Sequence, residues 1–152
     1  MALPAIDDSA IMLQTSAPDW RSAVQLAGQA LVASGAATPG YALEMIRMID
    51  EHGPYVVIAP GLALAHARPG REVLADGLAI VTLAEPVDFG HPHNDPVSVI
   101  LGLAIKGADG HLAAVADLAN IFNDSTAIAD LAAATSTDEV RQIMGQTVAS
   151  AT

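Results

Sequence analysis

His66 stands in the segment Pro60-Gly-Leu-Ala-Leu-Ala-His-Ala-Arg-Pro-Gly-Arg, with Arg68 and Arg71 close behind it. The chain has only 6 lysines and arginines, and two of them fall here. A neutral imidazole is a competent nucleophile near pH 7, and a guanidinium matches the equatorial oxygens of a phosphoryl group. This grouping suits phosphoryl transfer, which asks for alignment and charge neutralisation more than for acid–base work. Arg68 is the expected neutraliser. The competing reading is a surface ion pair with one of the 17 carboxylates, worth only about 0–1 kcal/mol.

His111 follows Gly110 where a helix is expected to begin. The positive end of a helix dipole disfavours an imidazolium, so the ring is expected to stay neutral. From there it would donate an N–H to a phosphoryl oxygen or orient His66, in a field friendly to anions. The plainer reading is a first-turn polar residue facing water. A third grouping, His91-Pro92-His93-Asn94-Asp95, offers imidazoles and a carboxylate that suit zinc. Ordinary loops contain such sets and no helical HExxH accompanies it, so loop structure is preferred. A metal-dependent hydrolase using His91, His93 and Asp95 is kept as an alternative. No metal or cofactor is assigned, because the chain lacks a GxGxxG after a strand, a P-loop and a GxSxG elbow.

The elements that must position these residues are legible in outline. Ala10–Thr15 reads as a strand, followed by a helix start with Pro18 in its first turn. From Trp20 to Val32 the apolar residues Trp20, Val24, Ala27 and Leu31 recur at helical spacing, and Ser34-Gly35 supplies the stop. Thr38-Pro39 opens a second helix, with Thr38 as the expected N-cap, which His52-Gly53-Pro54 ends. Tyr55–Ala59, Gly77–Leu83 and Val97–Ile105 are β-favouring runs, and strands apolar on both faces require helices above and below. A third helix carries Leu112, Val115, Leu118, Ala119 and Phe122 on one side. Two short terminal helices are expected over Ala127–Ala134 and Thr137–Met144. Ala59–Asp76 and Glu85–Pro96 read as irregular loops, the segments where function concentrates. Gly102, inside an apolar strand, is expected to permit close helix packing.

Composition narrows the partners. The chain of 152 residues is 52% apolar but only 3% aromatic, which fits one α/β domain over 1–152 with an aliphatic core. Its net charge of −11 repels phosphate backbones and anionic lipid, so nucleic acid is excluded as a partner. No signal peptide or membrane-spanning run is found, giving an expected cytoplasmic protein with no direct membrane insertion. With no cysteine there is no disulfide and no thiolate chemistry.

Four pieces together resemble the IIA component of the bacterial sugar phosphotransferase system. They are Gly61-Leu-Ala-Leu-Ala-His66-Ala-Arg68-Pro69, Thr82-Leu-Ala-Glu-Pro-Val-Asp-Phe-Gly, Asn94-Asp-Pro-Val and Gly110-His111-Leu-Ala-Ala-Val-Ala-Asp-Leu-Ala. The chain is most similar to ascorbate-type members of the mannitol/fructose superfamily. The resemblance implies a mixed five-stranded sheet with helices on both faces. It also implies a histidine, here His66, that accepts a phosphoryl group from the phosphohistidine of HPr and passes it to a IIB component. Arg68 falls on the arginine that often follows that histidine, and His111 on the second active-site histidine. The family usually has proline where this chain has Ala65, which removes a preset backbone angle and lowers the expected preorganisation of the loop. A IIB of the cysteine-phosphorylated kind would have to be another polypeptide or domain. A regulatory IIA-like phosphoprotein controlling a non-transport partner is the second reading, and a homodimer is an open alternative.

Overall fold

The computed structural model describes residues 3–123 and 126–145; the ends of the expected 1–152 domain and positions 124–125 lie outside the described residues. Five strands form one sheet in the order β1-β4-β5-β3-β2. They are β1 Ile11–Thr15, β2 Val57–Ala59, β3 Leu62–His66, β4 Gly77–Val87 and β5 Val97–Ala104. β1 runs parallel to β4 and β3 parallel to β5, while β4–β5 and β2–β3 are antiparallel. The sheet is therefore mixed, as the resemblance implies.

Helices cover both faces. α1 (Trp20–Ala33) and α2 (Gly40–His52) lie on one side, α3 (Ala108–Phe122), α4 (Thr126–Ala133) and α5 (Thr137–Ile143) on the other. Side-chain alternation along the strands produces this division. In β3, Ala63 and Ala65 join the α1–α2 core while Leu62 and Leu64 join the opposite one. The α1 side is built from small residues: a Cβ on Gly102 would sit 3.2 Å from Ala27 Cβ. Gly102 thus allows close helix packing, and an aromatic-poor core fills space by bringing backbone near backbone.

Helix ends follow local chemistry, with three departures from expectation, one being that α3 begins at Ala108, ahead of the start expected at His111. Asp19 caps α1 by accepting from the Ser22 N–H at 2.8 Å, which leaves Pro18 just outside the helix instead of in its first turn. α1 ends on Gly35 at φ +81, with Ala36 N–H bonded to Leu31 O and Gly35 N–H to Val32 O. Thr38 does not cap α2; its hydroxyl engages the Glu72 carboxylate, and α2 begins behind Pro39 without a side-chain cap.

The larger correction concerns Ala59–Asp76. Its first part is not a loop: Leu62–His66 is an inner strand, held between β2 and β5, and His66 pairs in register with Leu103. β4 likewise continues to Val87, into the second expected loop. As a result β3 and β5 end side by side and in parallel. The crevice beyond the carboxyl ends of such strands is the usual place for a site in α/β proteins.

Gly77→Ala tests the packing argument. A Cβ there would overlap the Ala36 methyl, so the variant is expected to lose about 1–3 kcal/mol by urea denaturation with the fold retained. An unchanged midpoint would show that the sheet and the α1–α2 connection are not in close contact.

Candidate functional site

His66 is the last residue of β3 and its ring is half-buried. Nδ1 lies 2.8 Å from the Leu64 carbonyl oxygen. A carbonyl only accepts, so Nδ1 carries the proton and donates, and Nε2 keeps the free lone pair. Burial pushes the His66 pKa below the ordinary histidine value. The bond to Leu64 opposes this by favouring the protonated ring, and the neighbouring His111 adds a smaller downward push. Burial is the largest of the three, so the ring is neutral at pH 7.

His111 stands on α3, the helix that follows the other strand of the pair. β5 ends at Ala104, and the connection to α3 is held by Lys106 N–H donating to Asp76 Oδ1 at 2.9 Å. The first intrahelical bond of α3 runs from His111 N–H to Gly107 O at 3.0 Å, so His111 closes the first turn. Its ring centroid is 5.3 Å from that of His66. The peptide N–H groups that precede it belong to the unpaired end of the helix, which favours an anion nearby.

Both rings line a cleft of about 490 Å³ together with Arg68, Tyr55, His52 and Leu112. Arg68 is exposed and, among the described residues, takes part in no ion pair, so the surface-pair reading of that residue does not apply. Tyr55 stands edge-on to His66, centroids 5.8 Å apart at 86°, and His52 stands edge-on to Tyr55. Burial raises the Tyr55 pKa while the positive charge of Arg68 opposes it. The cleft thus offers the free lone pair of His66 Nε2, a guanidinium and a helix N-terminus, walled by aromatic and aliphatic groups. That set receives a small, highly charged tetrahedral or trigonal group better than it receives a metal.

The three residues expected from sequence come together, whereas the His91-x-His93-x-Asp95 set lines no part of this cleft. Asp95 instead gathers backbone N–H groups, from Phe89 at 3.0 Å, Gly90 at 2.7 Å and His91 at 3.0 Å. His91 Nδ1 accepts from His93 N–H at 3.1 Å and Asn94 N–H at 3.0 Å. The Asp95 carboxylate and His91 Nδ1 are thus engaged as acceptors in shaping the loop before β5. Among the described residues no group of three or more His, Cys, Asp or Glu is arranged to hold a metal ion. Tyr55 was missed as a wall of the site because the β-favouring run Tyr55–Ala59 reads as ordinary strand, whereas β2 begins only at Val57.

Residues 5–146 match the family model described as the phosphoenolpyruvate-dependent sugar phosphotransferase system, EIIA 2. The chain belongs to this family. It is 35% identical, over 95% of both chains, to the ascorbate-specific PTS system EIIA component of Shigella flexneri. Its fold matches a putative PTS IIA (PtxA) from Streptococcus mutans, with 34% identity and a TM-score of 0.82 over 90% of this chain and 86% of that one. It also matches the Escherichia coli enzyme IIA for mannitol, solved in complex with phosphorylated enzyme IIB. There the identity is 25% and the TM-score 0.82, over 93% and 97% of the two chains. As a PTS EIIA the protein is a phosphotransfer component of the sugar phosphotransferase system, and the resemblance that rests on the four sequence pieces holds. Among the described residues no helix is long and apolar enough to cross a membrane.

The protonation state is directly measurable. In a nitrogen-15 NMR titration His66 is expected to titrate below the ordinary value of about 6.5, and at pH 7 to show the Nδ1–H tautomer. A midpoint above that value, or an Nε2–H tautomer, would contradict the burial and the Leu64 bond.

Proposed function

We propose that His66 carries a phosphoryl group on Nε2, taken from the phosphohistidine of HPr and passed to a IIB component in the cytoplasm, for uptake of ascorbate or a related carbohydrate. One observation carries this reading: the hydrogen bond that occupies Nδ1 leaves Nε2 as the nucleophile, in a cleft that also holds Arg68 and His111. In the transfer the Nε2 lone pair forms a bond to phosphorus as the donor's N–P bond breaks, and the donor nitrogen keeps the electron pair. No proton needs to leave Nε2, because the ring is already neutral there. Arg68 offsets charge on the three equatorial oxygens, the main demand of a loose transition state. His111 donates a hydrogen bond to one of those oxygens. The IIB acceptor is supported by the mannitol relative, which was solved with phosphorylated IIB, and the ascorbate class by the name of the Shigella relative.

The charge of −11 adds a kinetic role. An acidic rim steers a basic donor face, while Arg68 locally balances the transferred group.

Incubation with phosphoenolpyruvate, enzyme I and HPr, followed by intact-mass measurement, tests the chemistry. The wild-type chain is expected to gain one acid-labile phosphoryl group and His66→Ala none; phosphorylation of that variant would refute the assignment. His111→Ala should accept the group but pass it to IIB about a hundredfold more slowly, and full turnover would remove His111 from the mechanism. Rising ionic strength should slow the second-order transfer from HPr, since exposed charges are screened beyond about 8–10 Å at physiological salt; a salt-independent rate would exclude steering.

A further inference from the structure

The β3–β5 ladder ends at the pair His66–Leu103, yet the next residue along β3 is the one that joins the nucleophile to Arg68. Nothing in strand pairing holds that peptide. The hydroxyl of Tyr41, in the first turn of α2, takes the place of the missing rung: it accepts from Ala67 N–H at 3.0 Å and donates to Leu103 O at 2.7 Å. Tyr41 is 1% exposed, and its pKa is raised by burial, so the group is a neutral phenol able to play both parts at once. The far end of the same segment is fastened to the same helix start, where Thr38 N–H donates to Glu72 O at 2.9 Å and the Thr38 hydroxyl meets the Glu72 carboxylate. Arg68 to Arg71 is thus a short exposed span tied down at Ala67 and at Glu72.

We propose that Tyr41 is a positioning residue of the phosphoryl-transfer site, whose hydroxyl fixes the Ala67 peptide and thereby the placement of Arg68 relative to His66. The proposal rests on His66 being the phosphoryl acceptor. Its physical basis is that a phosphoryl group gains from a guanidinium only when its oxygens and the attacking nitrogen are aligned, and displacement by about 1 Å costs up to a hundredfold in rate. Phenylalanine would fill the same volume but leave Ala67 N–H and Leu103 O without this partner.

The test compares wild type, Tyr41→Phe and Met45→Ala, the last being a cavity one turn further along α2 that controls for loss of stability. Phosphoramidate serves as a donor that needs no partner protein: its P–N bond breaks as the bond to Nε2 forms, and the protonated nitrogen leaves as ammonia. Tyr41→Phe is expected to be phosphorylated about tenfold or more slowly than Met45→Ala, with a urea midpoint no lower than that of the control. With phospho-HPr the loss should fall on the rate at saturating donor and leave half-saturation unchanged. A Tyr41→Phe rate equal to that of wild type or of Met45→Ala overturns the proposal. In the unmutated chain the Ala67 amide should exchange with solvent at least about tenfold more slowly than the Arg68 amide, as expected for a buried hydrogen bond. Equal rates would overturn the proposal without any variant. Failure of wild type to accept phosphoryl from either donor would instead refute the role of His66, with amide exchange still deciding whether the hydroxyl holds the segment.

Discussion

The bond from His66 Nδ1 to the Leu64 carbonyl is the interaction on which the rest of the site depends. It selects the reacting nitrogen by tying the ring to the backbone of its own strand two residues back. The same bond favours the protonated ring, which would be useless as a nucleophile, and burial against the cleft walls opposes that effect and exceeds it. A histidine on a fully solvated loop would have neither a fixed tautomer nor a depressed pKa. The strand supplies the carbonyl, and the two helix ends that flank it supply the burial.

The sheet order explains how groups distant in sequence meet. β3 delivers His66 and β5, its parallel neighbour, delivers the connection to His111, so the two rings come from adjacent strand ends. α2 reaches the same edge because the layer beneath it is thin. Ala63 and Ala65 belong to the core on the α1–α2 side, Gly102 lies against Ala27 of α1, and Gly28 lets α1 and α2 approach until a Cβ there would lie 2.5 Å from Ala42 Cβ. A core of larger side chains would hold the helices farther off. Sparse aromatics are therefore a condition of the geometry and not merely a feature of composition.

Much of this was legible in the sequence, and what was not has a physical explanation. Gly77 onward and Val97 onward are long apolar runs, and their strands appear where expected. β3 escaped notice because it has only five residues, two of them alanine, between Pro60-Gly61 and Arg68-Pro69, and alanine has little β propensity. Its strand character comes from pairing on both edges, which no local signal reports. His66 and Arg68 were visible because lysine and arginine are scarce in this chain and two of the six fall close behind His66, and His111 because it stands near an expected helix start. Asp95 and His91 have a spacing suited to metal ligation, but spacing says nothing about which backbone N–H groups already occupy their lone pairs. Thr38 looked like a cap for the same reason: its sequence position suits that role, while its hydroxyl is drawn to Glu72, 34 residues away.

Ala65 gathers these points into one. In a loop, alanine in place of the family's usual proline would leave the residue before the nucleophile free to sample several backbone angles, with a loss of preorganisation. Here Ala65 is fully buried and paired in register with Gly102, and its methyl lies in the core shared with α1. Pairing with β5 at Ala65 itself, and with β2 over Leu62 and Ala63 just before it, restricts the backbone there, and it does so cooperatively with the strand that leads to His111. The cost of disturbing it therefore belongs to the whole β3–β5 pair, and rigidity at His66 is inseparable from the stability of the fold.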